Sequence, residues 1–362
     1  MSTVVNVASR ARSGQTAFAI AWGFCLVFYF AQYALRSAPS VMIPELTATF
    51  GLSALGISSL LGLYYYTYSA FSLVAGASLD RLGAKYVVPT GIVLLAIGAI
   101  LFGLGTVGAV ELGRLLQGAG AAFAFTGAVY LATRSFPPAY LATAVGFTQC
   151  FGMLGGSAGQ FSVAPLIHGP ITWQQFWIYA GCALLTLAVL SWLITPGSRD
   201  AAPRAKGSFW SVLAPYKTVL TNPQSYLCGI IAGLLFLPTT IYDMIWAVPM
   251  LREGFGLDYG PAVHHVAMVP FGWVIGCPLL GYVADRIGRR KPVLIAGAAL
   301  MLMSRIAVLY VPAELLYVCG LALGIGSGAA MIPYTVIKEV NPDEVKGSAT
   351  GTINFIVFSI SA

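Results

Sequence analysis

Four residues near the N-terminus have the types and the spacing to hold an anion. Tyr29, Tyr33, Arg36 and Ser40 follow one another by four, three and four positions, so on an α-helix they form one stripe with Gln32 beside it. A guanidinium can grip a carboxylate through two parallel N–H bonds, while tyrosines cover the apolar part of a small solute. The same stripe could instead make a polar contact between helices with no ligand. A second group is Tyr242, Asp243 and Trp246, and Asp243 is the one acidic residue found well inside any apolar run. A carboxyl placed there could carry a proton, meet a substrate amine, or neutralise Arg36 or Arg114 across a cavity. Arg114 is a third charge in an apolar run, facing a partner or water-filled space, or snorkelling to an interface. Arg305 reads as snorkelling outward, and His264 and His265 as surface residues.

These groups sit in a chain of 362 residues that is 58% hydrophobic and only 9% charged, with a mean hydropathy of +0.83. Such a composition exposes greasy surface unless lipid covers it, which points away from a water-soluble fold. Apolar runs long enough to cross a bilayer fall at about 16–38, 54–79, 86–107, 110–133, 140–165 and 172–194, then at about 223–250, 261–284, 291–311 and 314–337. An eleventh begins near 348 and is incomplete at Ala362. Between the two series a polar stretch, 195–222, carries Arg199, Asp200, Arg204, Lys206 and Lys217 and reads as a central loop. The expected division is therefore 1–194, a six-helix half; 195–222, the loop; and 223–362, a second half cut short in its eleventh helix.

Charge sets the expected orientation. With the N-terminus inside, fifteen of the nineteen basic residues fall in cytoplasmic loops, among them Arg81, Lys85, Arg134, Arg286, Arg289, Arg290 and Lys291, while Arg252 is the one in a short outer loop. Basic residues scattered over short loops, with no soluble module around them, also set nucleic-acid binding aside. The six cysteines lie in apolar stretches with no CxxC pair or histidine cluster, so they read as free thiols, with no metal and no cofactor expected. A membrane enzyme would need a nucleophile, a metal cluster or a carboxylate pair within the spans, and a lone aspartate does not supply one.

The chain repeats itself. Phe50-Gly51-Leu52 recurs as Phe255-Gly256-Leu257, Gly76 to Lys85 recurs as Gly281 to Arg290, and Pro137 recurs as Pro342, always 205 positions on. The repeated loop, Gly76-Ala-Ser-Leu-Asp80-Arg81-Leu-Gly83 and Gly281-Tyr-Val-Ala-Asp285-Arg286-Ile-Gly288, resembles the loop signature of the major facilitator superfamily. Arg114-x-x-Gln117-Gly118-x-Gly120 is similar to that family's fourth-helix motif. Gly152-Met-Leu-Gly155-Gly156 lacks the Gly-Pro pair of its antiporters. Tyr33-x-x-Arg36 with Pro39 and Pro44 resembles the first helix of organic-anion and organophosphate carriers. Tyr64-Tyr65-Tyr66 and the Phe136-Pro137-Pro138 loop look like bacterial phagosomal-nutrient carriers and lysosomal dipeptide carriers.

The resemblance implies an all-α membrane protein of the major facilitator fold, with two parallel six-helix halves rocking about a midplane site. It implies a secondary transporter, not an enzyme, resident in a bacterial inner membrane as a monomer with its N-terminus cytoplasmic. Tyr29, Gln32, Tyr33, Arg36, Tyr242 and Trp246 would contact a small carboxylate-bearing nutrient such as an amino acid, short peptide or organic acid. Asp243 and Arg114 would couple protons, and the residues of the repeated loop would act as a latch. A facilitated-diffusion uniporter and a non-transporting receptor of the same fold are the alternatives.

Overall fold

The computed structural model describes residues 2–197, 216–342 and 345–361, without the side chains of 2–15, 54, 80, 81, 138–143, 145, 346 and 347. Most of the expected central loop, with Arg199, Asp200, Arg204 and Lys206, lies outside the described residues, as do the side chains of Asp80 and Arg81. Among the described residues there are helices and no strands. The N-terminal series is α1 (Ser2–Ser37), α2 (Ile43–Phe50), α3 (Ala54–Leu82), α4 (Ala84–Gly103), α5 (Val107–Ser135), α6 (Pro138–Phe161), α7 (Val163–Ile167) and α8 (Trp173–Ile194). The C-terminal series is α9 (Pro223–Leu237), a π-helical segment (Pro238–Trp246), α10 (Ala247–Phe255), α11 (Tyr259–Ile287), α12 (Arg290–Ala307), α13 (Leu316–Ser327), α14 (Met331–Glu339) and α15 (Lys346–Ser361). Helices are what an apolar chain must form in lipid, because only they satisfy every backbone polar group within the segment.

Among the described residues eight stretches are long and apolar enough to cross a membrane, and nine if the bent pair Ile43–Phe50 and Leu55–Leu79 is one span. The expected run at 291–311 becomes α12, which carries Arg290, Lys291 and Arg305, and the run after 348 is short. Turns fall where glycine permits them. Gly51 and Gly256 close α2 and α10 at φ 64° and 65°, and Gly83 and Gly288 close α3 and α11 at 73° and 67°. At Gly51 and Gly256 the repeat is one of backbone conformation, ψ 19° and 22°, whereas Gly83 and Gly288 share the positive φ that favours glycine but differ in ψ, 166° and 15°.

Packing inside each series is backbone against backbone. A Cβ at Gly98 would stand 2.6 Å from the Gly113 carbonyl, and one at Gly113 would stand 2.7 Å from the Gly98 carbonyl, so α4 and α5 touch through a seam of small residues. The two series meet through α3 with α15 and α6 with α11. Ser69 donates to the Phe355 carbonyl at 2.9 Å and Ser157 to the Ala267 carbonyl at 2.9 Å. At the end of the bundle that carries Glu45, Tyr259 donates to the Val41 carbonyl at 2.7 Å, and its ring meets His168, itself paired with Glu45 at 2.7 Å.

Candidate functional site

Arg36 lies in the last turn of α1 and is 1% exposed. Its Nε donates to the Tyr65 hydroxyl at 3.4 Å, and its Cζ stands 5.0 to 5.9 Å from the ring centres of Tyr33, Tyr64, Tyr65, Tyr68 and Phe358. Five aromatic faces therefore surround one cation, at the range where ring quadrupoles attract it. Nη1 and Nη2 have no hydrogen-bond partner. The surrounding polar groups are directed elsewhere: Tyr64 donates to Gln32 Oε1 at 3.0 Å, Tyr29 to Gln149 Oε1 at 3.0 Å, and Tyr65 to the Thr240 carbonyl at 2.9 Å. Tyr65 thus links Arg36 to the π-helical segment of the C-terminal series.

The cavity beside this cage is lined by Tyr29, Tyr33, Tyr68 and Gln149 from the N-terminal series and by Tyr334, Asn354 and Phe358 from the other, and its volume is about 10 Å³. That is room for about one water molecule. Tyr334 donates to Asn354 Oδ1 at 2.7 Å across it. The expected stripe of Tyr29, Gln32, Tyr33 and Arg36 is therefore together in one buried site. Tyr64, Tyr68 and Phe358 were not foreseen as members. The signal for two of them was present, since Tyr64 and Tyr68 are four apart in an apolar helix and so share a face. Tyr66, next to them, is 56% exposed and faces away.

Arg114 is 2% exposed and does not snorkel. Its Nε and Nη2 donate to the Leu61 carbonyl at 3.3 and 3.1 Å and its Nη1 to Gln117 Oε1 at 2.8 Å, while Gln117 donates to the Gly98 carbonyl at 3.0 Å. The arginine and glutamine of the fourth-helix motif thus tie α3, α4 and α5 together. Arg114 also lies over the ring of Tyr64, 4.9 Å from its centre, and so backs the cage from behind.

Asp243 is wholly buried in the π-helical segment, and neither carboxylate oxygen has a hydrogen-bond partner. Pro238 opens this segment; lacking an N–H, it breaks the regular ladder and admits the wider turn. Gln160 Nε2 reaches only the Asp243 main-chain carbonyl, at 3.5 Å. Among the described residues Asp243 forms no ion pair with Arg36 or Arg114, and the nearby charge that acts on it is that of Arg305. Arg305 does not snorkel outward as expected, because its guanidinium lies 3.7 Å from the centre of the Tyr242 ring. Tyr242 therefore turns toward α12 and not into the cage, and Trp246 is half-buried against the core. His265, expected at the surface, is 1% exposed and bonds through Nδ1 to the Leu316 carbonyl, while His264 is exposed.

In the second copy of the repeated loop, Asp285 pairs with Arg290, which also reaches Glu339 at 3.0 Å, and Arg286 donates to the Tyr282 hydroxyl at 2.8 Å. The hydrogen bond to Asp285, and after it that to Glu339, holds the Arg290 guanidinium above its ordinary value. The two loop-opening glycines differ in surroundings, since a Cβ at Gly281 would meet nothing within 4 Å, whereas Gly76 faces the Tyr216 hydroxyl.

This architecture has relatives. The family model of the Major Facilitator Superfamily matches residues 25–362. The chain belongs to that superfamily. It is 25% identical to the inner membrane transport protein YajR of Escherichia coli over 91% of this chain and 72% of that protein. It is 24% identical to the membrane sensor protein UhpC of Escherichia coli, over 93% of this chain and 81% of that protein. The match to the MFS-type transporter SLC18B1 of Mus musculus is 25% identical and covers 76% of this chain and 62% of that protein. Among solved structures, the nucleoside transporter NupG aligns over 94% of this chain and 88% of its own at a TM-score of 0.70 and 15% identity. The xylose transporter XylE from E. coli aligns over 96% and 90%, at 0.69 and 16%. At that identity the likeness speaks for the fold. The protein is thus an all-helical, multi-pass membrane protein of a transporter superfamily.

Proposed function

We propose that this member of the superfamily is a secondary active transporter of a small carboxylate-bearing solute, an amino acid, short peptide or organic acid, taken up together with protons. The observation that carries the reading is the unpaired end of Arg36. A cation enclosed without a partner is costly, and its two Nη groups offer the planar fork that a carboxylate fits. Tyr29 and Tyr33 border the adjoining cavity, Gln32 is held beside it by Tyr64, and Phe358, Tyr334 and Asn354 close the cavity from the other series. With room for about one water, the site admits a solute only when the side chains part, as rocking of residues 1–194 against residues 223–362 would allow. Asp243 carries the proton. Arg114 acts through Tyr64, holding the cage in shape while the coupling proceeds. Tyr242 and Trp246 supply the wall that moves with Asp243, and the loops at Gly76, Asp80, Arg81, Gly83 and at Gly281, Asp285, Arg286, Gly288 set which end is open. The protein works as a monomer in a bacterial inner membrane, with its N-terminus and residues 195–222 in the cytoplasm.

The test is a thermal-shift screen of purified protein against amino acids, short peptides, organic acids and nucleosides, because a bound ligand stabilises by mass action. A carboxylate that stabilises the wild type and leaves Arg36→Gln unmoved supports the reading. Stabilisation by solutes without a carboxylate, retained in Arg36→Gln, refutes it. The likeness to UhpC, a membrane sensor, favours one second reading, a receptor that binds without moving solute. Uptake into proteoliposomes separates the two, and indifference of that uptake to an imposed pH gradient would identify a uniporter.

A further inference from the structure

Five orphaned polar atoms gather in the C-terminal series, apart from the Arg36 cage. Both carboxylate oxygens of Asp243, the Tyr242 hydroxyl, Arg305 Nε and His265 Nε2 lack hydrogen-bond partners although buried. They come from three elements, the π-helical segment, α12 and α11, and Arg305 is common to them: its charge acts on Tyr242, Asp243 and His265, and on Cys319 of α13. From α6 the neighbour is the neutral Gln160. Arg36 instead faces the rings of Tyr33, Tyr64, Tyr65, Tyr68 and Phe358, a different set of side chains.

We propose that Arg305 is the counter-charge of Asp243, and that the two, with Tyr242 between them, form a proton-binding site of the C-terminal helices. The inference rests on the proton-coupled reading above. A carboxyl so enclosed is tolerated in two forms only, protonated or facing a cation. Arg305 provides for both. While Asp243 holds its proton, the guanidinium lies on the face of Tyr242, as it does here at 3.7 Å, where a cation is attracted without forming an ion pair. When the proton leaves, the guanidinium slides from the ring to the carboxylate next in sequence. No charge is stranded in either state, but the two differ in where α12 stands against the π-helical segment. That segment opens at Pro238 and carries both Tyr242 and Asp243. It also holds the Thr240 carbonyl that Tyr65 of the cage engages at 2.9 Å, giving the proton a mechanical link to the solute site.

The test needs no solute. Tm is measured for the purified full chain, for Asp243→Asn, Arg305→Gln, Arg305→Lys and the double variant Asp243→Asn/Arg305→Gln, in mildly acidic and mildly alkaline buffer. In alkaline buffer each neutralising substitution should lower Tm by several degrees, the double variant by less than the two together, and Arg305→Lys by little. In acidic buffer the non-additivity should shrink, which a purely structural contact would not show. Additive losses at both pH values overturn the pairing. The outcomes of proteoliposome uptake are distinct: non-additive Tm values with uptake indifferent to a pH gradient would keep the pair and refute proton coupling. Gradient-driven uptake undiminished in Arg305→Gln would instead remove Arg305 and leave Asp243 as carrier.

Discussion

Arg36 and Arg114 are both buried arginines, and their side-chain chemistry gives them opposite expected phenotypes. Arg36 keeps two Nη groups unpaired inside an aromatic cage, so its planar fork has value only to an incoming group. Arg36→Lys keeps the charge and loses the fork, and binding of the stabilising carboxylate should weaken by roughly 1–3 kcal/mol in a titration of the purified protein, with Tm little changed. Arg114 has spent its donors on Leu61 and Gln117. Arg114→Lys should therefore cost roughly 1–3 kcal/mol of stability, read as a fall in Tm, and leave affinity nearly unchanged. The stripe from Tyr29 to Arg36 was legible because helical spacing alone aligns it. Arg305 was misread, since its place near the end of a span is where a snorkelling arginine would also stand, and only the position of Tyr242 tells the two apart. Phe358 was invisible for another reason: it lies more than three hundred positions away, and sequence spacing carries no information about a partner on a different helix.

Among the elements, α4 and α5 depend on close approach and the Asp285 loop on charge. Gly98→Val would drive a branched side chain into the Gly113 carbonyl and should cost roughly 1–3 kcal/mol or more, seen as a lower Tm or loss of the monodisperse peak in size exclusion. The bridge from Arg290 to Asp285 and Glu339 is partly open to solvent, so it should contribute at most about 1 kcal/mol. Its pH behaviour follows from Arg290 being held above its ordinary value. That stability is fully present below the ordinary arginine range and is lost only as pH rises through the still higher folded value. The contribution removed by Arg290→Gln should accordingly be the same in Tm scans across the neutral range, and a bridge that vanishes near neutrality would contradict the assignment. The elements themselves were readable from apolar run length, and the loops from the repeat, because a glycine at φ 67° or 73° leaves its mark on the sequence. The π-helical turn was not read, although Pro238 stood in the middle of the run, since a proline signals a break and not its form.

For the whole molecule, the proposed orientation, argued from charge asymmetry, would put the Asp285 loop in the cytoplasm and the end bearing Glu45 and Tyr259 outside. Reporter fusions after Gly254 should read external and fusions in 195–222 cytoplasmic, and the reverse pattern would overturn the orientation. The short hydrogen bonds that cross between the two series join neutral groups: a hydroxyl of Ser69, Tyr65, Ser157 or Tyr259 donates to a main-chain carbonyl of the opposite series, and Ser69 also meets the Ser359 hydroxyl at 2.7 Å. A serine in a helix has a second place to point, the carbonyl one turn back on its own strand of backbone, and Ser72 already takes that option with Tyr68 at 2.7 Å. Ser69 and Ser157 can do likewise when the series part. At the serines, separation then exchanges one neutral bond for another of similar strength, with no ions to desolvate. A seam with such exchangeable, uncharged bonds offers little resistance at its serines, which lowers the input that a bound carboxylate or a single proton would have to supply.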